Sequence, residues 1–337
     1  MCTGIETIEN EVKTILRKHI SDVVELNSVE AWSGGFFNKC YKILTKNPEK
    51  TYFLKMELDK IYPTTKKAQI EREVYGLKLL RNQGIRCAEV YGYDFNGIDI
   101  GKRYVLTEFF EGDLLFMSWD GLNDKEKNGI TSEISYIIDC MSNVPAPYFG
   151  DYYNNGYLGK HKTWQEFYRA IGKLLLTDCV ELNILSEQEI AIIRKAIEKE
   201  KTNCSAEYTP GFFHQDLGMH NIIFNSANQR GKQLAVIDCG NAFFTLSHKD
   251  EVDLRARGEF GLVWLDVFEK YGLNKKAYEA QVVDGLDWVV RTAYIKQMND
   301  YSHCPDPIKE GIESVKSDTT RFYIDEFLEK CQGYLNA

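Results

Sequence analysis

The first third of the chain alternates short apolar segments with turns, a pattern that predicts a sheet accompanied by one main helix. Strand-like segments occur at 29–32, 39–44, 52–56, 89–94 and 104–109. Residues 5–20 have apolar positions at helical spacing and predict a leading helix. Residues 66–82 are charged but carry an apolar stripe that includes Val74 and Leu77, so they predict a second helix. We therefore expect a small β-rich lobe over residues 1–109.

Beyond residue 109 the pattern changes to long amphipathic segments typical of helices. They cover 123–143, 163–180, 186–200, 249–271, 274–299 and 306–331. Two polar loops, each next to short apolar runs, are embedded among them near residues 214–221 and 238. This order predicts an α+β protein of two lobes, with a larger helical lobe over residues 110–337.

Composition narrows the class of protein. With 337 residues the chain is long enough for two lobes around an apolar core. A net charge of −9 without a long basic run argues against a nucleic-acid partner, and it suits either a cationic substrate or ordinary solubility. The nine cysteines are scattered and never spaced C-x-x-C, which favours reduced thiols. With neither a signal-peptide pattern nor a membrane-length apolar stretch, we expect a cytoplasmic protein without a membrane partner.

The most informative segments are the two polar loops. Residues 214–221 read His-Gln-Asp-Leu-Gly-Met-His-Asn, and residues 236–240 read Val-Ile-Asp-Cys-Gly. Phosphoryl transfer from a nucleotide needs a carboxylate to orient the attacking hydroxyl and oxygen ligands to hold Mg²⁺ against the phosphates. The spacing H-x-D-x-x-x-x-N supplies the first as Asp216 and a metal ligand as Asn221. The Asp-x-Gly that follows an apolar run supplies a second ligand, Asp238.

The first lobe contains three weaker signals of phosphoryl transfer: a glycine turn, a lysine in a strand and a glutamate on the next helix. Ser33, Gly34 and Gly35 lie between two predicted strands, where glycine lets backbone amides approach phosphate oxygens, although such a turn also suits a plain hairpin. Lys55 lies inside an apolar strand and has two interpretations, a phosphate contact or a solvent-facing position. Glu73 follows on the next helix and shares its apolar stripe, so we prefer it to its neighbour Glu71 as the partner of Lys55.

Two histidines flank the first polar loop. Metal-ligand spacing of further His, Cys or carboxylate residues is lacking around them, so a zinc-type site is not expected. We expect His214 to hydrogen-bond the loop backbone and shape it. The role of His220 stays open.

Four segments together resemble the aminoglycoside phosphotransferase family, the small-molecule branch of the protein-kinase-like fold that includes choline and fructosamine kinases. They are 214–221, 237–242 (Ile-Asp-Cys-Gly-Asn-Ala), 106–112 (Leu-Thr-Glu-Phe-Phe-Glu-Gly) and 163–167 (Thr-Trp-Gln-Glu-Phe). The family usually carries Trp where this chain has Cys239. Gln215 replaces the Arg of protein kinases, and no Ala-Pro-Glu segment follows Asp238, so the resemblance is to small-molecule kinases.

The resemblance implies a role for each matched position. Asp216 would orient the acceptor hydroxyl, and Asn221 and Asp238 would hold Mg²⁺. Lys55 would contact the α- and β-phosphates of ATP, with GTP as the other candidate, and Glu73 would position Lys55. The glycine loop would cover the phosphates, and the backbone of Glu108, Phe109 and Phe110 would receive the nucleotide base.

The acceptor is the least determined part of the prediction. In the family it lies between the catalytic loop and the helices after Asp238, a region that offers Glu251, Glu259, Asp284 and Trp288. Carboxylates there suit a polyamine and aromatic rings suit a quaternary ammonium, although most helical aromatics simply fill the core.

We therefore expect a phosphotransferase that acts on a hydroxyl of a small molecule, with an aminoglycoside antibiotic, and hence resistance, as the first hypothesis. A metabolic kinase of choline, an amino-sugar or a similar compound is the alternative. A third hypothesis is a catalytically inactive kinase-like binding protein. A monomer and a dimer both remain open.

Overall fold

The computed structural model describes residues 3–32, 38–58, 64–153, 156–203, 208–214, 216–225, 234–246, 281–297, 313 and 320–336. The predicted glycine loop at 33–35, Gln215, Glu251, Glu259 and the predicted helix at 249–271 lie outside the described residues. So does the side chain of Asp284, although its backbone belongs to a helix.

In its described residues the small lobe contains two α-helices and a five-stranded antiparallel sheet. Its strands are β1 (Leu26–Trp32), β2 (Asn38–Lys46), β3 (Glu49–Glu57), β4 (Val90–Asp94) and β5 (Tyr104–Glu108), in the order β1-β2-β3-β5-β4. Helix α1 (Thr3–His19) precedes the sheet, and α2 (Gln69–Asn82) connects β3 to β4. The strands and both helices of this lobe predicted from sequence are confirmed. The sheet ends at Glu108, beside the predicted lobe boundary, which itself stays a prediction.

The alternation of side chains along the strands decides which face each residue serves. Leu54 of β3 and Leu106 of β5 pack with Ile15 of α1 on one face. Val105 packs with Val74 of α2 on the other. Since neighbouring residues of a strand point to opposite faces, the residue after Leu54 in β3 is directed toward α2. That residue is Lys55.

The larger part of the chain is mainly helical, as the sequence predicts. Its helices are α3 (Leu115–Ser118), α4 (Asp124–Ser142), α5 (Trp164–Glu181), α6 (Glu187–Asn203), α7 (Gln281–Gln297) and α8 (Thr320–Asn336). Short strands complete it: β6 (Asp113–Leu114), β7 (Phe149–Gly150), β8 (Lys160–His161), β9 (Pro210–Phe213), β10 (Ile222–Phe224), β11 (Leu234–Val236) and β12 (Phe243–Leu246). They form two small sheets, ordered β11-β10-β6 and β8-β7-β12-β9.

Local chemistry explains where two of these helices begin. Asn123 caps α4 and Thr163 caps α5, and each side chain accepts a hydrogen bond from the backbone N–H of a glutamate three residues later. Those glutamates, Glu126 and Glu166, reach back to the cap residues and complete capping boxes.

The predicted end of the last helix at 331 is wrong, because α8 continues to Asn336 with Leu335 packed against the core. No helix in the described ranges combines the length and the apolar character needed to cross a membrane.

Helix α2 is anchored to the helical lobe by a buried ion pair. Arg72 Nε lies 2.7 Å from Asp151 Oδ1, and both side chains are almost fully excluded from water. Tyr152 Oη donates to the Arg72 carbonyl at 2.5 Å, and Asp178 of α5 accepts from the backbone N–H of Thr64 at 2.6 Å. These bonds fix α2 and the turn before it against the other lobe.

The Arg72–Asp151 pair predicts a large loss of stability when one partner is neutralised. Asp151→Asn keeps the shape of the side chain but leaves the Arg72 charge buried without its counter-charge, so we expect a loss of about 3–5 kcal/mol in the free energy of unfolding. Glu198→Gln is the matched control, because it breaks the exposed 3.5 Å pair with Arg169 and should cost less than about 1 kcal/mol. Equal effects of the two changes in urea titrations would contradict the assignment.

Candidate active site

Lys55 joins the two lobes through a pair of carboxylates. Its Nζ atom lies 3.1 Å from Glu73 Oε2 on α2 and 2.9 Å from Asp238 Oδ1, which follows β11. The Lys55 and Glu73 side chains are each only 7% exposed. The solvent-facing interpretation of Lys55 is therefore wrong. Glu71, the other candidate partner, pairs with Arg103 instead.

Electrostatics fixes the charge of this group. Burial by itself lowers the pKa of Lys55, but the Asp238 and Glu73 carboxylates outweigh burial and raise it, so the ammonium stays protonated. Burial also raises the pKa of Glu73 to about 7, against the opposing effect of Lys55. Burial acts on Asp238 in the same direction, yet the close Lys55 ammonium holds the pKa of Asp238 below its ordinary value. Of the two carboxylates, Asp238 is thus the one whose pKa favours the ionised form.

The two polar loops are joined by backbone hydrogen bonds. His214 is fully buried, and its Nε2 atom donates to the Ile237 carbonyl at 2.9 Å. The Ile237 N–H in turn donates to the Asn221 carbonyl at 3.0 Å. The Asn221 side chain donates from Nδ2 to the backbone carbonyl of Asp216 at 2.8 Å. His214 bonds to backbone as expected, but its acceptor lies in the second polar loop and not in its own. Together these bonds bring Asp216, Asn221 and Asp238 into one site.

Both carboxylate oxygens of Asp216 are engaged by side chains. Oδ1 lies 3.2 Å from His220 Nε2, and Oδ2 lies 3.2 Å from Asn241 Nδ2. Burial lowers the pKa of His220, but the Asp216 carboxylate more than offsets this and raises it above its ordinary value. The Asp216 side chain is still 38% exposed, so a ligand has access to it. Sequence reasoning left His220 open and missed Asn241, whose only signal was its position three residues after Asp238.

A close approach of α2 explains the cysteine at position 239. The turn Cys239–Asn241 follows Asp238, whose backbone is left-handed with φ 59°. Gly76 of α2 lies so close that a Cβ atom there would be 2.8 Å from the Cβ of Cys239. Cys239 is fully buried in this contact. A small thiol thus lies where the family resemblance led us to expect tryptophan, because the helix occupies the space beside the turn.

The segment expected to receive the base begins at Glu108, the last residue of β5. The Glu108 N–H already donates to the Glu89 carbonyl at 2.8 Å, so this amide is engaged within the lobe. The Phe109 ring makes an edge contact with Trp32 at 5.3 Å between centroids, beside the end of β1. The remaining part of this stretch, through Phe110, keeps its expected role as a prediction.

The predicted acceptor residues are only partly described. Trp288 lies on α7 and is 50% exposed, so it is not a core aromatic. Its neighbour Asp287 accepts from Thr65 Oγ1 at 3.1 Å and pairs with Arg291. No described contact joins Trp288 to Asp216, and its role in acceptor binding stays a prediction.

Solved structures define the class of fold. The GDP and kanamycin complex of APH(2")-IIia superposes with a TM-score of 0.53 at 18% identity, covering 96% of this chain and 98% of that one. A Thermobifida fusca protein provisionally assigned as a fructosamine-3-kinase superposes with a TM-score of 0.60 at 16% identity, covering 99% of this chain and 100% of that one. The chain therefore has the two-lobed protein-kinase-like fold.

Sequence comparison then gives the family. The model of the phosphotransferase enzyme family matches residues 28–270, and the chain belongs to this family, whose members are small-molecule kinases that transfer phosphate to hydroxyl groups. The resemblance noted from the motifs is thereby confirmed.

A curated relative matches a smaller part of the chain. The Saccharomyces cerevisiae protein "Altered inheritance of mitochondria protein 9, mitochondrial" is 24% identical over 161 residues. That match covers 45% of this chain and 26% of the yeast protein, so the similarity spans about a quarter of the relative.

The contact between α2 and the turn predicts opposite outcomes for two helical glycines. Gly76→Ala places a methyl group 2.8 Å from both the Cβ of Cys239 and the Tyr152 hydroxyl, and we expect the free energy of unfolding to fall by about 1–2 kcal/mol. Gly129→Ala on α4 is the matched control, since nothing lies within 4 Å of the added Cβ. That change should stabilise by about 0.5–1 kcal/mol through helix propensity. Chemical denaturation measures both, and a stabilising Gly76→Ala would show that α2 does not press on the turn.

Proposed function

We propose that this protein is an active, nucleotide- and Mg²⁺-dependent kinase that phosphorylates a hydroxyl of a small molecule. The observation that carries the proposal is the Lys55 ammonium held between Glu73 and Asp238, with Asp216 and Asn221 fixed beside them. This arrangement supports the proposal, because phosphoryl transfer needs a cation for the phosphates, oxygen ligands for Mg²⁺ and a carboxylate for the acceptor hydroxyl. It also argues against the inactive binding protein, because each of the required groups is retained.

Lys55 is the proposed contact for the α- and β-phosphates of the nucleotide. Its charge is retained despite burial, and Glu73 limits its orientation. The glycine loop at 33–35 would cover the phosphates, and residues 108–110 would receive the base. The GDP bound to the APH(2")-IIia relative supports a purine nucleotide, and ATP and GTP both remain candidates.

Asp238 and Asn221 are the proposed Mg²⁺ ligands, and their environment fits that role. Because Asn221 donates from Nδ2 to the Asp216 carbonyl, its Oδ1 atom is the side-chain atom left to bind a cation. Asp238 is ionised and its side chain is 36% exposed. Mg²⁺ is commonly bound by one or two protein oxygens together with substrate phosphates. When bound, the ion supplies positive charge that offsets the charge of the phosphates.

Asp216 is the proposed catalytic carboxylate. His220 and Asn241 hold its two oxygens, and its partial exposure leaves room for an acceptor hydroxyl to approach. In this role Asp216 accepts a hydrogen bond from the hydroxyl, aims the oxygen at the γ-phosphate and takes up the proton during transfer.

The acceptor that we put first is an aminoglycoside antibiotic, which would make the protein a resistance enzyme. Carboxylates at Glu251, Glu259 and Asp284 suit a polyamine, and the exposed Trp288 ring offers a surface for a cation. The kanamycin bound to one relative supports this choice. A metabolic kinase of choline or an amino-sugar is the second candidate, supported by the relative assigned as a fructosamine-3-kinase. The acidic composition fits a cytoplasmic location.

Removing the charge of Asp216 should abolish turnover without preventing nucleotide binding. Asp216→Asn keeps the size of the side chain but cannot accept the proton, so we expect kcat to fall about 10²–10⁴-fold. Nucleotide affinity, measured by isothermal titration, should change little. The matched control is Asp22→Asn, because Asp22 is an exposed carboxylate far from Asp216 in the sequence. If Asp216→Asn keeps kcat within about tenfold of the unmodified protein, Asp216 is not the catalytic carboxylate.

A panel of acceptors separates the candidate substrates. We expect saturable ADP or GDP release with either aminoglycosides or small metabolites, tested with kanamycin, a macrolide, choline, ethanolamine and fructosamines. Mass spectrometry of the product confirms that phosphate reached the acceptor. Turnover with kanamycin supports the antibiotic hypothesis, and turnover with a metabolite alone supports the alternative. A protein that binds neither Mg²⁺-ATP nor Mg²⁺-GTP would be the inactive binding protein.

A further inference from the structure

Three amide side chains connect the small lobe to the carboxylate of Asp216. Asn38 Nδ2 donates to Gln69 Oε1 at 2.8 Å, and Gln69 Nε2 donates to Asn241 Oδ1 at 3.3 Å. Asn241 Nδ2 then donates to Asp216 Oδ2 at 3.2 Å. We refer to Asn38, Gln69 and Asn241 as the amide relay.

The direction of each bond in the amide relay follows from the carboxylate at its end. An ionised Asp216 only accepts hydrogen bonds, so Asn241 must turn its NH₂ group toward it. The Asn241 carbonyl oxygen then faces Gln69, which must donate in turn, and the Gln69 oxygen faces Asn38 in the same way. A chain in which every amide donates toward an anion is polarised in one direction, and each bond strengthens the next.

The amide relay begins at points that the fold holds firmly. Asn38 is the first residue of β2 and Gln69 the first of α2, and their side chains are only 5% and 4% exposed. A Cβ atom added to Gly240 would be 3.3 Å from the Cβ of Gln69, so the start of α2 lies directly against the turn that carries Asn241. Buried amides that lose a partner are costly, which keeps the relay intact.

We propose that the amide relay positions the Asp216 carboxylate. The orientation of that carboxylate then depends on how the small lobe packs against the turn that carries Asn241. Asn241 and Gln69 are thus positioning residues for phosphoryl transfer. His220, which lies in the same loop as Asp216, restrains Oδ1. The amide relay, which starts in the small lobe, restrains Oδ2. With both oxygens held, the carboxylate presents a fixed orientation to the acceptor hydroxyl. The inference rests on the proposed function, because it takes Asp216 to be the catalytic carboxylate.

The test removes the hydrogen bonds without changing the size of the side chains. Asn241→Leu should lower kcat about 10–100-fold, the cost of a misplaced catalytic group, with the KM for nucleotide changed less than about threefold. Gln69→Met should lower kcat about 3–10-fold. Because both act through one chain of bonds, the double variant should resemble Asn241→Leu alone. Turnover is measured as ADP or GDP release with the best acceptor of the panel, or with water as acceptor.

Controls separate this effect from a loss of folding. Asn82→Leu removes an exposed amide at the far end of α2 and should leave kcat unchanged. Thermal unfolding reports the folded fraction of each variant. Asn241→Ser, whose hydroxyl is too short to bridge both partners, replaces the leucine variant if that one fails to fold.

Two results would overturn the inference. One is an Asn241 variant that is folded and keeps kcat within about twofold of the unmodified protein. The other is a double variant whose loss equals the product of the single losses, since independent sites multiply in this way. The Asp216→Asn variant separates the two levels of proposal. If Asp216→Asn remains active, the proposed function is wrong. If Asp216→Asn is inactive but Asn241→Leu is fully active, the proposed function stands and only the positioning role of the amide relay is wrong.

Discussion

The ammonium of Lys55 is the interaction on which the arrangement of the site depends. It is buried, and it keeps its charge only because a carboxylate from each lobe approaches it. An isolated cation in that position would be strongly disfavoured, so β3, α2 and the segment after β11 must stay together. Glu73 and Asp238 share one positive charge between them. Lys55 holds the pKa of Asp238 below its ordinary value, whereas burial raises the pKa of Glu73 to about 7.

Helix α2 is the element that turns this contact into a coupling between the lobes. Along its length it presents Gln69 to Asn241, Arg72 to Asp151, Glu73 to Lys55 and the bare backbone of Gly76 to Cys239. Successive turns of one helix thus carry a hydrogen bond between amide side chains, two ion pairs and a close backbone contact. A shift of the helix would disturb all of them at once. The position of α2 is consequently set by the helical lobe as much as by its own sheet.

Sequence reasoning succeeded where a residue type and a period are tied to a local structure. The strands of the first sheet and the helix that carries Glu73 follow from alternation and amphipathic spacing. The two-residue strands β6, β7 and β8 were not predicted, because a segment that short carries no period. The sequence did not decide whether Lys55 contacts phosphate or faces solvent. Strand alternation shows that Lys55 and Leu54 point to opposite faces of the sheet, but it does not show which face α2 covers.

The sequence by itself determined the class of chemistry and the family. The spacing from Asp216 to Asn221 and the Asp-x-Gly at 238 are patterns of residues close together in the sequence, so they can be recognised without the structure. Only the tertiary structure decided which side chains hold those groups. Asn241 and Gln69 are far apart along the chain, and only Asn241 lies within one of the family-like segments, yet folding places them in hydrogen-bond contact. Contacts of this kind depend on how α2 packs against the turn after Asp238, and packing between distant segments leaves no periodic signal in sequence.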